Sequence, residues 1–487
     1  MSAAKGDYND DLENRRLRAA GIAAVLFVCA LAVSWPLGGV DAPHAQDYAN
    51  FAEGHYEDGR CGLYYLVEEN QTENPYYYNT KSGALRSLCE QSDCRHHNKE
   101  AKQITCGIEQ ETLDGAFYDG YFYCFGGGED IQEEENVYPP SRYDAPDYGF
   151  YRMRRPDAPR EPVFLLEQIK DQFQIGKDYN FITLQSFCMV GDRVYVTLNY
   201  RFGSVVGIDA HGSDRYDEGL AGYLCSYDLQ TGVFEKHFMV PEEGLYTIIT
   251  DGQSLYISGY EIGASEVYDG ETLMLPQQND RERIYRYDLD SGVHEEVFTY
   301  EWAEWMYGGY YVYDVLQYDQ SPLLRFNTIQ NGRLYFYCLK SGWYLDLQTM
   351  QPSKFDGTNG VHYVVLEDRI VAPRIYDVTP NVHADLQIFD LDGRFLREQR
   401  TEYTFTDLWA VNGGKDVMAR FVDKSFEDYE VRKQMPTKYR YPGNDMNCVR
   451  FMGILPEGRL RGEGVAQPAL LERDVISGVE QLRGDAP

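Results

Sequence analysis

A short unit recurs along most of this chain: a tight turn built from Gly, Asp or Asn, followed by a strand of alternating aromatic and aliphatic residues. Asp58-Gly59 precedes Leu63-Tyr64-Tyr65, and Asp119-Gly120 precedes Tyr121-Phe122-Tyr123. Gly191-Asp192 precedes Val194-Tyr195-Val196, Asp251-Gly252 precedes Leu255-Tyr256-Ile257, and Asn331-Gly332 precedes Leu334-Tyr335-Phe336. Glu367-Asp368 before Ile370-Val371 and Asn412-Gly413 before Val417-Met418 continue the series. Asn-Gly and Asp-Gly supply the positive φ angles that hairpin turns need. The segments after them have the β-branched and aromatic make-up of buried strands.

A second unit follows most copies of the first. It is an aromatic strand ending in Asp-Leu, then a polar turn. Tyr227-Asp228-Leu229-Gln230-Thr231-Gly232 and Tyr287-Asp288-Leu289-Asp290-Ser291-Gly292 are the clearest copies. Leu345-Asp346-Leu347-Gln348-Thr349 and Phe389-Asp390-Leu391-Asp392-Gly393 extend the series, with Tyr78 to Gly83 an earlier, weaker copy. Two hairpin signals per repeat mean four strands. Four-stranded units about 40–60 residues long, repeated about seven times, predict an all-β chain folded as a β-propeller. One such sheet cannot bury both faces alone, whereas stacked neighbours can. A β-solenoid is the alternative, but its repeats are shorter and more regular. The 42 tyrosines among 487 residues agree with half-buried strand surfaces.

Ala19 to Val40 carries no charged residue and is long enough to cross a bilayer. Arg15, Arg16 and Arg18 precede it, so the positive-inside bias places the N-terminus in the cytoplasm and the bulk of the chain outside. The expectation is a single-pass cell-membrane protein with one N-terminal transmembrane helix; a cleaved signal peptide is the rival. The expected domains are a tail at 1–18, the anchor at 19–40, a linker at 41–57, the propeller at 58–431 and a partly disordered C-terminal extension at 432–487. Asp plus Glu number 78 against 45 Lys plus Arg, a formal charge of −33. Such a surface repels phosphate backbones, which excludes nucleic acid as a partner. Neutral glycans, peptides and protein partners remain.

Two clusters stand out. Cys89, Cys94, His96 and Cys106 could hold zinc through three thiolates and an imidazole. The spacing is not that of a usual zinc knuckle, and outside the cytoplasm disulfides are the ordinary state of cysteine. Disulfides, inert thiols and a metal site all remain open here. The second cluster is Trp302, Trp305, Tyr307, Tyr310, Tyr311 and Tyr313, interleaved with acids where the repeat spacing widens. Such rings could stack on sugars or grip a peptide, or else fill a gap between repeats. The acidic run at Glu129-Asp130 and Glu133-Glu134-Glu135 could attract calcium, but lacks EF-hand spacing and reads first as a solvated loop.

The two turn-and-strand units resemble those of secreted or membrane-anchored propellers of Gram-positive gut anaerobes, and distantly those of the Tol-system propeller. The likeness covers about residues 58–430, and a similar Cys-x4-Cys-x-His insertion belongs to that anaerobe group. It implies a surface-located propeller without an assigned reaction. The sequence has no Gly-x-Ser-x-Gly elbow, Walker loop or His-Glu-x-x-His motif. The expectation is therefore a binding or scaffold module, not an enzyme, with no cofactor required. The alternatives are a carbohydrate-active propeller using paired carboxylates, or a metal or redox sensor at the Cys/His cluster.

Overall fold

The structure, a computed structural model, describes residues 48–50, 55–57, 62–69, 72–79, 84–87, 115–127, 147–154, 160–173, 179–208, 214–261, 281–301, 324–338, 341–355, 363–375, 383–400, 403–411, 416–423, 450–456 and 469–470. The described residues are nearly all β, arranged as seven antiparallel sheets that follow one another in chain order.

Sheet one holds β2–β5 (His55–Ser87) and sheet two β6–β9 (Gly115–Leu165). Sheet three is β10 (Tyr179–Val190), β11 (Arg193–Ile208), β12 (Asp214–Asp228) and β13 (Phe234–Pro241), with β1 (Tyr48–Asn50) added to the free edge of β10. Sheet four is β14 (Glu243–Thr250), β15 (Ser254–Glu261), β16 (Arg281–Asp288) and β17 (His294–Glu301). Sheets five, six and seven hold β18–β21 (Leu324–Lys354), β22–β25 (Val364–Arg400) and β26–β29 (Tyr403–Leu470). A short helix, α1 (Leu166–Lys170), links sheets two and three.

Among the described residues both hairpin units of the sequence form as expected. Asn331 and Gly332 each have positive φ, 52° and 72°, the geometry of a twisted two-residue hairpin. In the second unit the Asp carboxylate caps its own turn. Asp228 Oδ1 accepts the amides of Gln230 and Thr231, at 3.0 and 2.8 Å. Asp346 does the same for Gln348 and Thr349, and Asp288 accepts the amide and hydroxyl of Ser291. Asp390 accepts the amides of Asp392 and Arg394, so it is a turn former.

Strand alternation then packs sheet on sheet. In β15, Leu255 and Ile257 face sheet three with Leu224, Leu245 and Phe238. Tyr256, between them, faces sheet five with Ile284, Leu334 and Phe336. A one-residue slip would exchange these two faces, so the register is fixed by burial. The first strands of successive sheets also touch, β14 against β18, β18 against β22 and β22 against β26.

Two spans read differently in sequence contribute strands. Tyr48–Asn50 and His55–Glu57 lie within the span expected as a linker. Arg450–Pro456 and Ala469–Leu470 lie within the expected C-terminal extension, and they form the third and fourth strands of sheet seven, the first pairing with Asp416–Asp423 and the second with Arg450–Pro456. The expected membrane helix at 19–40 lies outside the described residues; among those described, no helix is long and apolar enough to cross a membrane.

Candidate functional site

Chain direction divides each sheet into two ends. The tight turns of both sequence units close one end. The connections from second to third strand, and from each sheet to the next, leave from the other. Two of these connections, 88–114 and 302–323, carry the sequence candidates. Cys89, Cys94, His96 and Cys106, and Trp302, Trp305, Tyr307, Tyr310, Tyr311 and Tyr313, lie outside the described residues. So does the acidic run at 129–135. Among the described residues no group of His, Cys, Asp or Glu is placed to hold a metal ion. The described thiols of Cys188, Cys225 and Cys338 are buried, and desolvation pushes all three up, which makes them unreactive core groups.

At the long-connection end of sheet four, one guanidinium meets a carboxylate from each of the other three strands. Arg283, on β16, donates from Nη1 to Glu243 Oε2 of β14. Its Nη2 donates to Glu261 Oε2 of β15 at 2.7 Å, and its Nε lies 3.4 Å from Glu296 Oε2 of β17. Tyr285 adds a hydroxyl bond to Glu243 at 2.8 Å. Glu243 is 1% exposed and Arg283 14%. Gly259 makes room for them, since a Cβ there would stand 2.0 Å from Glu243 Oε1. Burial pushes the Glu243 carboxyl above its ordinary value, against the hydrogen bonds and charge of Tyr285 and Arg283. Burial also opposes the charge on Arg283, but the carboxylate beside it prevails and holds the guanidinium above its usual value.

The same end of sheet four is fastened to sheet three. Asn199 Oδ1 accepts the Leu245 amide at 2.8 Å, and Thr197 Oγ1 donates to the Tyr246 carbonyl at 2.7 Å. A bulge follows: Leu245 pairs with Gly259, but Ile248 pairs with Ile257. Bulges re-aim side chains, and here the extra backbone carries Tyr246. Desolvation raises the Tyr246 hydroxyl, opposed by Arg201 and reinforced by Glu282 and Glu243.

The chemistry open to this cluster follows from exposure. Glu243 is sealed, so it cannot exchange a proton with a bulky substrate. Glu261, 31% exposed, faces solvent beside it. The constellation joins the ends of β15 and β16, from which the 262–280 connection departs, to the start of β14 and to β17. Sequence reasoning did not single out these residues. The signal was present as Arg281-Glu282-Arg283 opening the strand Arg281–Asp288, but its three carboxylate partners are scattered over more than fifty residues.

No family model matches the sequence, and no curated protein matches it. The resemblance to propellers of gut anaerobes therefore has no sequence match behind it. Similar solved structures are β-propeller proteins. Dipeptidyl peptidase 4 of Porphyromonas gingivalis has 10% identity and a TM-score of 0.42, covering 88% of this chain and 60% of that one. The oligogalacturonate lyase of Vibrio parahaemolyticus has 9% identity and a TM-score of 0.39, covering 87% and 93%. The propeller domain of the Trilobed protease from Pyrococcus furiosus has 11% identity and a TM-score of 0.30, covering 57% and 69%. The chain thus spans 60% of the length of the peptidase. The expectation that the chain is not an enzyme is corrected by these findings: its structural neighbours are mostly propeller peptidases and a lyase. Lack of a catalytic sequence motif does not set this chain apart from enzymes, because residues on separate blades can converge without a local motif. The identities are too low to assign any of those activities.

Proposed function

We propose that this chain is a membrane-anchored, extracytoplasmic seven-bladed β-propeller that holds a peptide or protein ligand at the long-connection end of its blades. The observation that carries the reading is the division of the sheets into a closed end of tight turns and an end from which long connections leave. The latter include 302–323, with its tryptophans and tyrosines, and 88–114, with its Cys/His cluster. Loops on a rigid scaffold are the usual carriers of binding residues. A net charge of −33 favours a ligand bearing positive groups.

The course of β1 supports the orientation. It runs antiparallel to β10, with Tyr48 opposite Val190 beside the tight turn at Gly191. A chain entering β1 at the tight-turn end agrees with a reading in which the long connections face away from the membrane. Turnover of the bound ligand is compatible with this reading.

The test uses the full chain in lipid nanodiscs on peptide and glycan arrays, with mass spectrometry of each bound species. Binding of basic peptides that falls at least about ten-fold in Trp302→Ala/Trp305→Ala, a loss of about 1.4 kcal/mol, supports the proposal. Absence of any binder, or equal binding by the variant, overturns it.

A further inference from the structure

The junction between sheets three and four contains a histidine at a position that other sheets fill with an apolar side chain. In sheet three, Leu224 pairs with Phe238 but Cys225 pairs with Lys236, which leaves His237 as the extra residue of a bulge. The same irregularity leaves Val297 extra in sheet four and Val163 extra in sheet two. Both valines pack against the hydrophobic clusters of their junctions. The bulge itself thus belongs to the repeat, and the imidazole is the departure from it.

His237 spans the junction. Its Nε2 lies 2.8 Å from Ser226 Oγ of β12, within its own sheet, and its Nδ1 lies 3.2 Å from the Tyr287 hydroxyl of β16, across the boundary. The ring is flanked by Tyr195 and Tyr287, with centroids 5.6 and 5.3 Å away. Ser226 is 1% exposed and Tyr287 7%. A serine, a histidine and a third hydroxyl in a row have the order of a nucleophile and its base, but a buried Ser226 cannot meet a substrate.

We propose that His237 makes the junction of sheets three and four acid-sensitive, a fastening that holds while the ring is neutral and loosens when it gains a proton. A neutral imidazole offers one donor and one acceptor, matching two hydroxyls that can each do either. A protonated ring offers two donors. The hydroxyl that had donated to the ring must then turn its proton away from the ring, and a donor left without an acceptor in this partly buried junction is costly. The charged groups around the ring do not rescue the cation. From β11, Arg193 opposes it. Glu235 on β13 favours it, but is already paired to Arg193 at 2.7 Å, and Asp228 on β12 lies 3.8 Å from the same guanidinium. From β16 come Tyr285 and Tyr287, which are neutral, and His294 on β17 stacks on Phe238 rather than on His237. Desolvation accordingly lowers His237 below its ordinary 6.5, with Arg193 adding to the effect and Glu235 opposing it. Stability from the neutral ring is complete above about pH 6.5 and is lost as pH falls through the lower folded value.

Hydrogen–deuterium exchange on the full chain in nanodiscs tests this at about pH 7.5 and about pH 5.5, corrected for the intrinsic pH dependence of exchange. In the wild type, protection of β13, β14 and β16 amides falls on acidification, by about ten-fold for each unit of displacement of the histidine. His237→Val, which copies sheet four, and His237→Gln, which keeps a donor and an acceptor without titrating, retain equal protection at both pH values. If one variant does not fold, the other gives the same reading. No acid-induced loss in the wild type, or the same loss in the variants, overturns the proposal.

Discussion

Arg283 holds the sealed carboxylate of Glu243 and, with the same guanidinium, reaches Glu261 and Glu296, so a single side chain ties together all four strands of sheet four. Removing one partner of a buried ion pair leaves the other uncompensated and costs about 3–5 kcal/mol, while replacing both by apolar groups is often neutral. Arg283→Met is expected to destabilise by an amount in that range. Glu243→Gln combined with Arg283→Met is expected to recover part of the loss. Urea unfolding of the two single variants and the double variant, read as a mutant cycle, checks the coupling. Additive losses would show that the contact is incidental.

Gly259 is required for room. A Cβ there would sit 2.0 Å from Glu243 Oε1 and 2.8 Å from the Tyr285 ring. Gly259→Ala is expected to cost about 1–3 kcal/mol by overpacking, and to do so less when Glu243 is shortened to Asp. Thermal unfolding of the single and double variants checks the dependence on Glu243.

The turn carboxylates add to the acid sensitivity of the fold. Backbone and hydroxyl bonds from Thr231, Ser291 and Thr349 hold Asp228, Asp288 and Asp346 below their ordinary value of 3.8. Their stabilisation is present above about pH 3.8 and is lost as pH falls through the lower folded values. Asp288→Asn is expected to lower stability near neutrality and leave it unchanged in strong acid, which flattens the acid side of the profile. Denaturation midpoints measured from neutral to strongly acidic pH check this.

Asn50 fastens β1 to a neighbouring sheet. Its side chain accepts the Thr250 amide at 2.8 Å and donates to the Thr250 carbonyl at 3.1 Å. Asn50→Ala removes both bonds, at about 1 kcal/mol each, and is expected to speed proteolysis near residue 50 while sheets four to six keep their resistance. Timed digestion with mass readout distinguishes local release of β1 from general loosening.

The repeat was legible because each hairpin turn writes a local signal. Asp-Gly and Asn-Gly announce positive φ, and the Asp of the second unit bonds amides two and three residues on. Where the signal fails, another force has taken over. Met350 adopts a φ of 54° in the turn of sheet five, a place where sheets three and four use Gly232 and Gly292. The strands on either side impose that conformation despite its strain. The Arg283 cluster and the His237 bulge were hidden for a different reason. Both depend on which strand ends become neighbours, and no local spacing records that. β1 was hidden because three residues are too few to show alternation. The binding residues expected from sequence, at 89–106 and 302–313, lie outside the described residues, so the candidate site came from strand ends rather than from motifs.

The pairing of β1 bears on the order in which the chain assembles. Asn50 and Thr250 are 200 residues apart in sequence, whereas the strands within each sheet are joined by far shorter stretches. During synthesis most sheets can pair as soon as their fourth strand emerges. Among the described strands β1 is made first, yet it has no edge to join until β10 exists and no Thr250 to bond until sheet four begins. Contacts of such long sequence separation form slowly. The earliest strand is thus among the latest to dock, and its docking reports that sheets three and four have both formed.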